Sequence, residues 1–121
     1  MKNIETGKTG EDIACRYLLK NSYLILARNH KERFDEIDII ARDPRGILIF
    51  CEVKTVNHNN NGFMPEDNLS TAKRQKMVRA SNIFLARHPG LVWENVGWRI
   101  DLVAIVLDGG KPFDLRHYKN I

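Results

Sequence analysis

The stretch "EIDIIARDPRGILIFCEVK", Glu36 to Lys54, limits the fold more tightly than any other part of the chain. Two runs of Ile, Leu, Val and Phe flank "DPRG", and apolar runs around a Pro–Gly turn read as a β-hairpin. Pro44 suits the first central position of a type I turn. Gly46 suits the left-handed position that closes a three-residue loop with a bulge. Asp43 then pairs with Ile47, and counting outwards from the turn sets Asp38 opposite Glu52. A two-residue loop would set Asp38 opposite Cys51 instead and send the two acids to opposite faces. The turn residues favour the first register.

Opposed residues share a face, with Cβ atoms about 5 Å apart. Lys54 and Glu36 lie two residues further along their strands and join that face. Two carboxylates so close repel, and one tends to take up a proton. A divalent cation relieves the repulsion. Hard oxygen donors suit Mg²⁺ or Mn²⁺, which keep several waters and use one or two protein carboxylates. Such a cation activates water and neutralises charge on a phosphodiester, and a nearby lysine stabilises the transition state. On spacing alone, a solvated cross-strand ladder of ion pairs accounts for these charges equally well, since strands with one wet face often carry them.

Around this hairpin, "KTGEDIACRYLLK" (8–20) has helical spacing of Gly10, Ala14, Tyr17 and Leu18. "YLILAR" (23–28), "EIDIIAR" (36–42) and "ILIFCEVKTV" (47–56) read as strands. Residues 57–67 form a polar loop, in which His58, Asn59, Asn60 and Asn61 read as a mobile turn or as contacts to a bound strand. A second helix runs from about Ser70, its N-cap, to His88. "GWRIDLVAIVLD" (97–108) is a long apolar strand, and "FDLRHY" (113–118) adds a short last one. The order is αβββαβ with a final β. The first three strands form an antiparallel meander. The second helix is long enough for a right-handed crossover that sets the fourth strand parallel to the third. The expectation is one α/β domain over residues 1–121, a mixed central sheet with helices packed on it.

The 121 residues suit one core, and 43% hydrophobic with 28% charged residues suits a globular chain. No apolar run approaches the ~20 residues of a membrane span. The N-terminus has no apolar leader segment, and Cys15 and Cys51 form no paired motif, so cytoplasm with reduced thiols is expected. The four histidines share no ligand spacing. The net charge of +4 mildly favours a polyanionic partner. The second helix concentrates that charge in Lys73, Arg74, Lys76, Arg79 and Arg87, with no acid. Lys73 falls in the apolar stripe of Leu69, Met77, Ala80 and Phe84. It either points toward the acid pair, near a scissile phosphate, or snorkels from the first turn. Arg74, Lys76 and Arg79 lie off the stripe, as phosphate contacts or as a solvated face. Trp93 and Trp98 read as packing residues rather than base-stacking ones. Arg99 and Asp101, two apart on the fourth strand, read as a structural ion pair.

The pattern of Asp38 followed by "ExK" (Glu52, Lys54) resembles the PD-(D/E)xK nuclease signature on the restriction endonuclease-like αβββαβ core. The chain more closely resembles the YraN family of small bacterial proteins. The matching pieces are "GKTGEDIACRYL", "EIDIIA", "FCEVKT", "AKRQKMVRAS" and "WRIDLVAI", collinear over nearly the whole length. It is also similar to the archaeal Holliday-junction resolvases, which share the helix-one Glu, the Asp and the ExK. The resemblance implies Asp38 and Glu52 as metal ligands, the Val53 carbonyl as a third, Lys54 as the catalytic lysine, and Glu11 reaching the site from the first helix. Glu11 reads otherwise as a first-turn acid favoured by the helix dipole. The family usually has Gly where Asp35 stands, and often Arg where Val56 stands. The first change adds an acid at the mouth of the site, and the second removes a phosphate contact. The function implied is Mg²⁺- or Mn²⁺-dependent endonucleolytic hydrolysis of DNA, branched or damaged. The alternative is a non-catalytic nucleic-acid-binding module on a nuclease fold, and the blandest reading is an interaction protein with a structural charge ladder. A homodimer follows by analogy with the resolvases.

Overall fold

A computed structural model describes residues 2–33, 35–58 and 64–121, the side chains of 2–5 and 68 excepted. The elements are α1 (Lys2–Lys20), β1 (Leu24–Glu32), β2 (Asp35–Arg42), β3 (Leu48–Asn57), α2 (Thr71–Arg87), β4 (Trp98–Asp108) and β5 (Lys111–Tyr118). Short 3₁₀ turns occupy Pro65–Asn68 and Pro89–Leu91. One five-stranded sheet runs in the order β1-β2-β3-β4-β5. The β3–β4 pair is parallel, joined through α2, and the other pairs are antiparallel. This is the αβββαβ arrangement with its final strand, as the sequence leads one to expect.

Three element boundaries differ from the sequence reading. The first helix starts at Lys2 rather than near residue 8. Strand β1 continues to Glu32, which pairs with Asp35, so two residues connect β1 and β2. Most of β1 is exposed because it is an edge strand, and its polar second half carries no alternating pattern to read. Strand β5 begins at Lys111, opposite Asp108. Gly109 and Gly110 both have positive φ (58° and 77°), the demand of a type I′ hairpin turn.

Each face of the sheet carries a core. Ile13, Ala14 and Leu18 of α1 pack with Ile39, Ala41, Ile49, Val103 and Ile105. Met77, Ala80 and Phe84 of α2 pack with Ile40, Leu48, Phe50 and Ile100 on the other face. Each large side chain so buried contributes roughly 1.5–3 kcal/mol. Helix α1 crosses β3 with only the Thr55 side chain between them at Gly10. A Cβ on Gly10 would lie 1.9 Å from Thr55 Oγ1 and 2.9 Å from Thr55 Cβ, so the backbones approach this closely only at glycine. Ser70 caps α2, its Oγ accepting from the Lys73 amide at 3.1 Å. Among the described residues no helix is long and apolar enough to cross a membrane.

The hairpin takes the register that "DPRG" implies, with Ile39 opposite Cys51 and Arg42 opposite Leu48. Asp43 organises the turn. Its Oδ1 accepts from the Arg45 amide (2.8 Å) and the Ile47 amide (2.9 Å), and its Oδ2 accepts from Arg99 Nη1 (2.9 Å). Gly46 has φ +92°, and a Cβ there would meet the Trp93 ring at 2.8 Å. Arg42 stacks 3.8 Å from the same ring centre and donates to the Gly46 carbonyl at 2.9 Å. Trp98 packs edge-on against Phe50 at 5.6 Å. The Arg99–Asp101 ion pair forms at 2.9 Å, with Asp101 fully buried. It continues to His117 Nε2 (2.7 Å from Asp101 Oδ2) and to Tyr17, whose hydroxyl lies 2.8 Å from His117 Nδ1. This network stitches α1, β4 and β5 together on the α1 face.

Candidate metal centre

The ladder between β2 and β3 ends at Ile39–Cys51. One residue further out, Asp38 turns its carboxylate into the gap, and Oδ2 accepts from the Val53 amide at 2.8 Å. In a continuing ladder that amide would meet a β2 carbonyl. Left without a partner, a buried amide costs about 1–3 kcal/mol. The N–H and C=O of a strand residue point to the same edge, so the Val53 carbonyl faces the same gap. Glu52 shares the face of Asp38 and is buried. Two carboxylates and a backbone carbonyl thus meet where the strands part. The ladder stops short of the Glu36–Lys54 opposition drawn from the sequence. Glu36 pairs with Lys31 of β1 instead and lies exposed at the rim.

The electrostatics follow from this crowding. Burial, reinforced by the Glu52 charge, pushes the Asp38 carboxyl up to about 8, against the pull of the Val53 amide. Glu52 Oε1 has two cationic neighbours, Lys73 Nζ at 3.1 Å and Lys54 Nζ at 3.4 Å. Burial and the touching Lys73 lower the Lys54 pKa. Burial works against the Lys73 charge too, but Glu52 and Asp38 hold its pKa above the ordinary value.

A cavity of about 380 Å³ opens over Asp38 and Glu52, its wall completed by Asp35, Glu36, Lys73 and Lys76 among others. Glu11 stands at the edge of this arrangement. The Gly10–Thr55 contact brings its turn of α1 to the outer end of β3. The Glu11 carboxylate lies 3.9 Å from Arg28 Nη2, and burial raises its pKa, opposed by Asn29 and Arg28. Its charge is felt at Asp38, although it does not line the cavity.

The basic residues of α2 divide. Lys73 enters the site. Lys76 lines the cavity and makes no ion pair among the described residues. Arg79 holds Asp35 through Nε (3.0 Å) and Nη2 (2.8 Å), and Arg74 donates to the Ile121 carbonyl at 2.8 Å. Arg87 pairs with Glu32 at 3.2 Å. Three arginines of the basic stripe therefore tie α2 to the rest of the molecule. Val56 is buried, and His58 lies against Phe113 with ring centres 4.1 Å apart. Asn59, Asn60 and Asn61 fall outside the described residues. Sequence reasoning missed a second hollow of about 390 Å³, lined in part by Glu66, Leu69, Leu102 and Tyr118. It adjoins the site because Leu102 pairs with Glu52 across β3 and β4. No pattern in the sequence links Glu66 to Tyr118, and their hydrogen bond at 2.5 Å spans distant parts of the chain.

No group of three or more His, Cys, Asp or Glu side chains suited to a metal ion occurs among the described residues. Two carboxylates with a carbonyl and room for water nevertheless form a donor set that Mg²⁺ and Mn²⁺ accept. A cation there would favour the ionised Asp38 carboxyl against the burial and the Glu52 charge that raise its pKa.

The chain matches the Uncharacterised protein family UPF0102 over residues 10–105, a span that includes Glu11, Asp38, Glu52, Lys54 and Lys73. A UPF0102 protein of Chloroherpeton thalassium is 38% identical over 109 residues, covering 90% of this chain and 81% of the relative. One from Dictyoglomus turgidum is 37% identical, covering 88% and 86%. One from Prosthecochloris aestuarii is 36% identical over 118 residues, covering 93% and 89%.

Proposed function

The chain belongs to the UPF0102 family, and we propose that it is a metal-dependent endonuclease-like protein of the PD-(D/E)xK superfamily that hydrolyses phosphodiester bonds in DNA. The observation that carries this reading is the parting of β2 and β3, where Asp38 and Glu52 share a face with Lys54 and Lys73 on the same Glu52 oxygen. Asp38, Glu52 and the Val53 carbonyl would hold Mg²⁺ or Mn²⁺. Bound there, the ion would supply Lewis-acid polarisation of the phosphoryl oxygens and a more acidic water.

The side chains divide the remaining work. Lys54 is fixed two residues from Glu52 on the same face, close enough to stabilise the negative charge that grows on the phosphorus oxygens. Glu11 would add negative charge beside Asp38 and strengthen cation binding. Lys76, on the cavity wall, would meet a flanking phosphate. Hydrolysis adds water across one P–O bond, leaving a phosphate on one side of the cut and a hydroxyl on the other. The similarity to junction resolvases directs attention to branched or damaged DNA.

The test is incubation of linear, nicked, flapped and four-way DNA with Mg²⁺ and with Mn²⁺. Cleavage of at least one form is expected, lost on chelation and reduced at least 100-fold in Glu52→Ala and in Lys54→Ala. No cleavage of any DNA with either ion overturns the proposal.

A further inference from the structure

Lys73 occupies an unusual position for a lysine. It is the third residue of α2, and the Ser70 cap on its amide fixes where its backbone sits. Its ammonium reaches across to Glu52 Oε1, the oxygen that Lys54 already neighbours. One ammonium suffices to neutralise one carboxylate, so the second cation is surplus to Glu52 alone. The two lysines differ in freedom. Lys54 lies on β3 itself and stays on the Glu52 face, with its side chain only 16% exposed. The Lys73 side chain comes from the helix across the cavity and is 40% exposed, with open space on its solvent side.

We propose that Lys73 is an internal counter-ion. In the protein without metal it holds Glu52 in the place a divalent cation would take, and it passes to a substrate phosphate when the cation claims Glu52. The inference rests on the reading of Asp38 and Glu52 as a metal site and adds a gate to it. While Lys73 is engaged, its charge is spent on Glu52, and of the two lysines on the cavity wall only Lys76 is free to meet a phosphate. Once Lys73 is released, the same wall offers two lysines and a neutralised acid pair. Divalent cation and polyanion then strengthen each other's binding, and the coupling is reciprocal.

Calorimetric titration of Mn²⁺ into wild type, Lys73→Met, Lys73→Arg and Glu52→Ala tests the first half. Lys73→Met should bind Mn²⁺ about 5-fold or more tighter, within the usual range of such couplings. Lys73→Arg, which keeps the competing charge, should stay near wild type. The second half is read by anisotropy of a labelled phosphorothioate duplex with and without Mn²⁺. Wild type should gain affinity on adding Mn²⁺, and Lys73→Met should lose most of that gain. Mn²⁺ binding that Glu52→Ala abolishes but Lys73→Met leaves unchanged would overturn the counter-ion proposal and spare the metal site. No Mn²⁺ binding by wild type would overturn both. Tightened Mn²⁺ binding in Lys73→Met, with no cleavage of any DNA by wild type, would uphold the counter-ion while removing the nuclease reading.

Discussion

Asp38 shows how one residue serves two demands. Its side chain completes the hydrogen bonding of β3 and sets a second acid beside Glu52. With its carboxyl pushed up to about 8, the folded chain keeps a proton that the unfolded chain releases at the ordinary value of 3.8. Folding therefore takes up a proton across that interval. The Asp38 contribution to stability declines as pH rises from about 4 to about 8 and is level above. Asp38→Asn cannot ionise, and its carboxamide oxygen still accepts from Val53. Its melting temperature should match wild type near pH 4 and exceed it by several degrees at pH 8. Thermal melts at unit steps of pH check this, and a constant difference would show that Asp38 does not titrate in the interval. The register that carries Asp38 towards Glu52 could be read from Pro44 and Gly46, because a turn fixes register through local geometry. The roles of Arg74 and Arg79 could not. Their partners, the Ile121 carbonyl and Asp35, lie 47 and 44 residues away, and nothing local distinguishes a tethered arginine from a free one.

Among the elements, the seating of α1 on β3 decides how near Glu11 comes to the acid pair. Alanine normally favours a helix by about 1 kcal/mol over glycine. At residue 10 the added methyl would overlap Thr55, a β-branched side chain with little freedom to turn aside. Gly10→Ala should therefore destabilise the fold, by about 1–3 kcal/mol as overpacking does. Urea titration measures it. A neutral or stabilising result would mean that α1 can shift off β3 at little cost. The sequence spacing identified the buried stripe of α1 but not its first turns, which carry no capping signal, and not the second half of β1. An edge strand exposed on both faces needs no apolar alternation. Strands β3 and β4, buried along most of their length, are plain from the apolar runs at 47–51 and 102–107.

Taken whole, the molecule divides its tasks between the two faces of one sheet. The α1 face holds the buried Arg99–Asp101–His117 network, and the α2 face holds the acid pair and its lysines. Both cores draw on β2, β3 and β4, so neither can melt alone. Urea unfolding followed by the fluorescence of Trp93 and Trp98 and by far-ultraviolet circular dichroism should give one coincident transition. Separate midpoints would mean that the faces unfold independently. The same shared sheet gives the Val53 amide a further use. Its proton points at the carboxylate that any cation entering the site must also engage. Its nuclear magnetic resonance frequency and its rate of exchange with deuterium therefore respond to whatever occupies that carboxylate. The chain thus carries its own spectroscopic label at the place where one would choose to attach one.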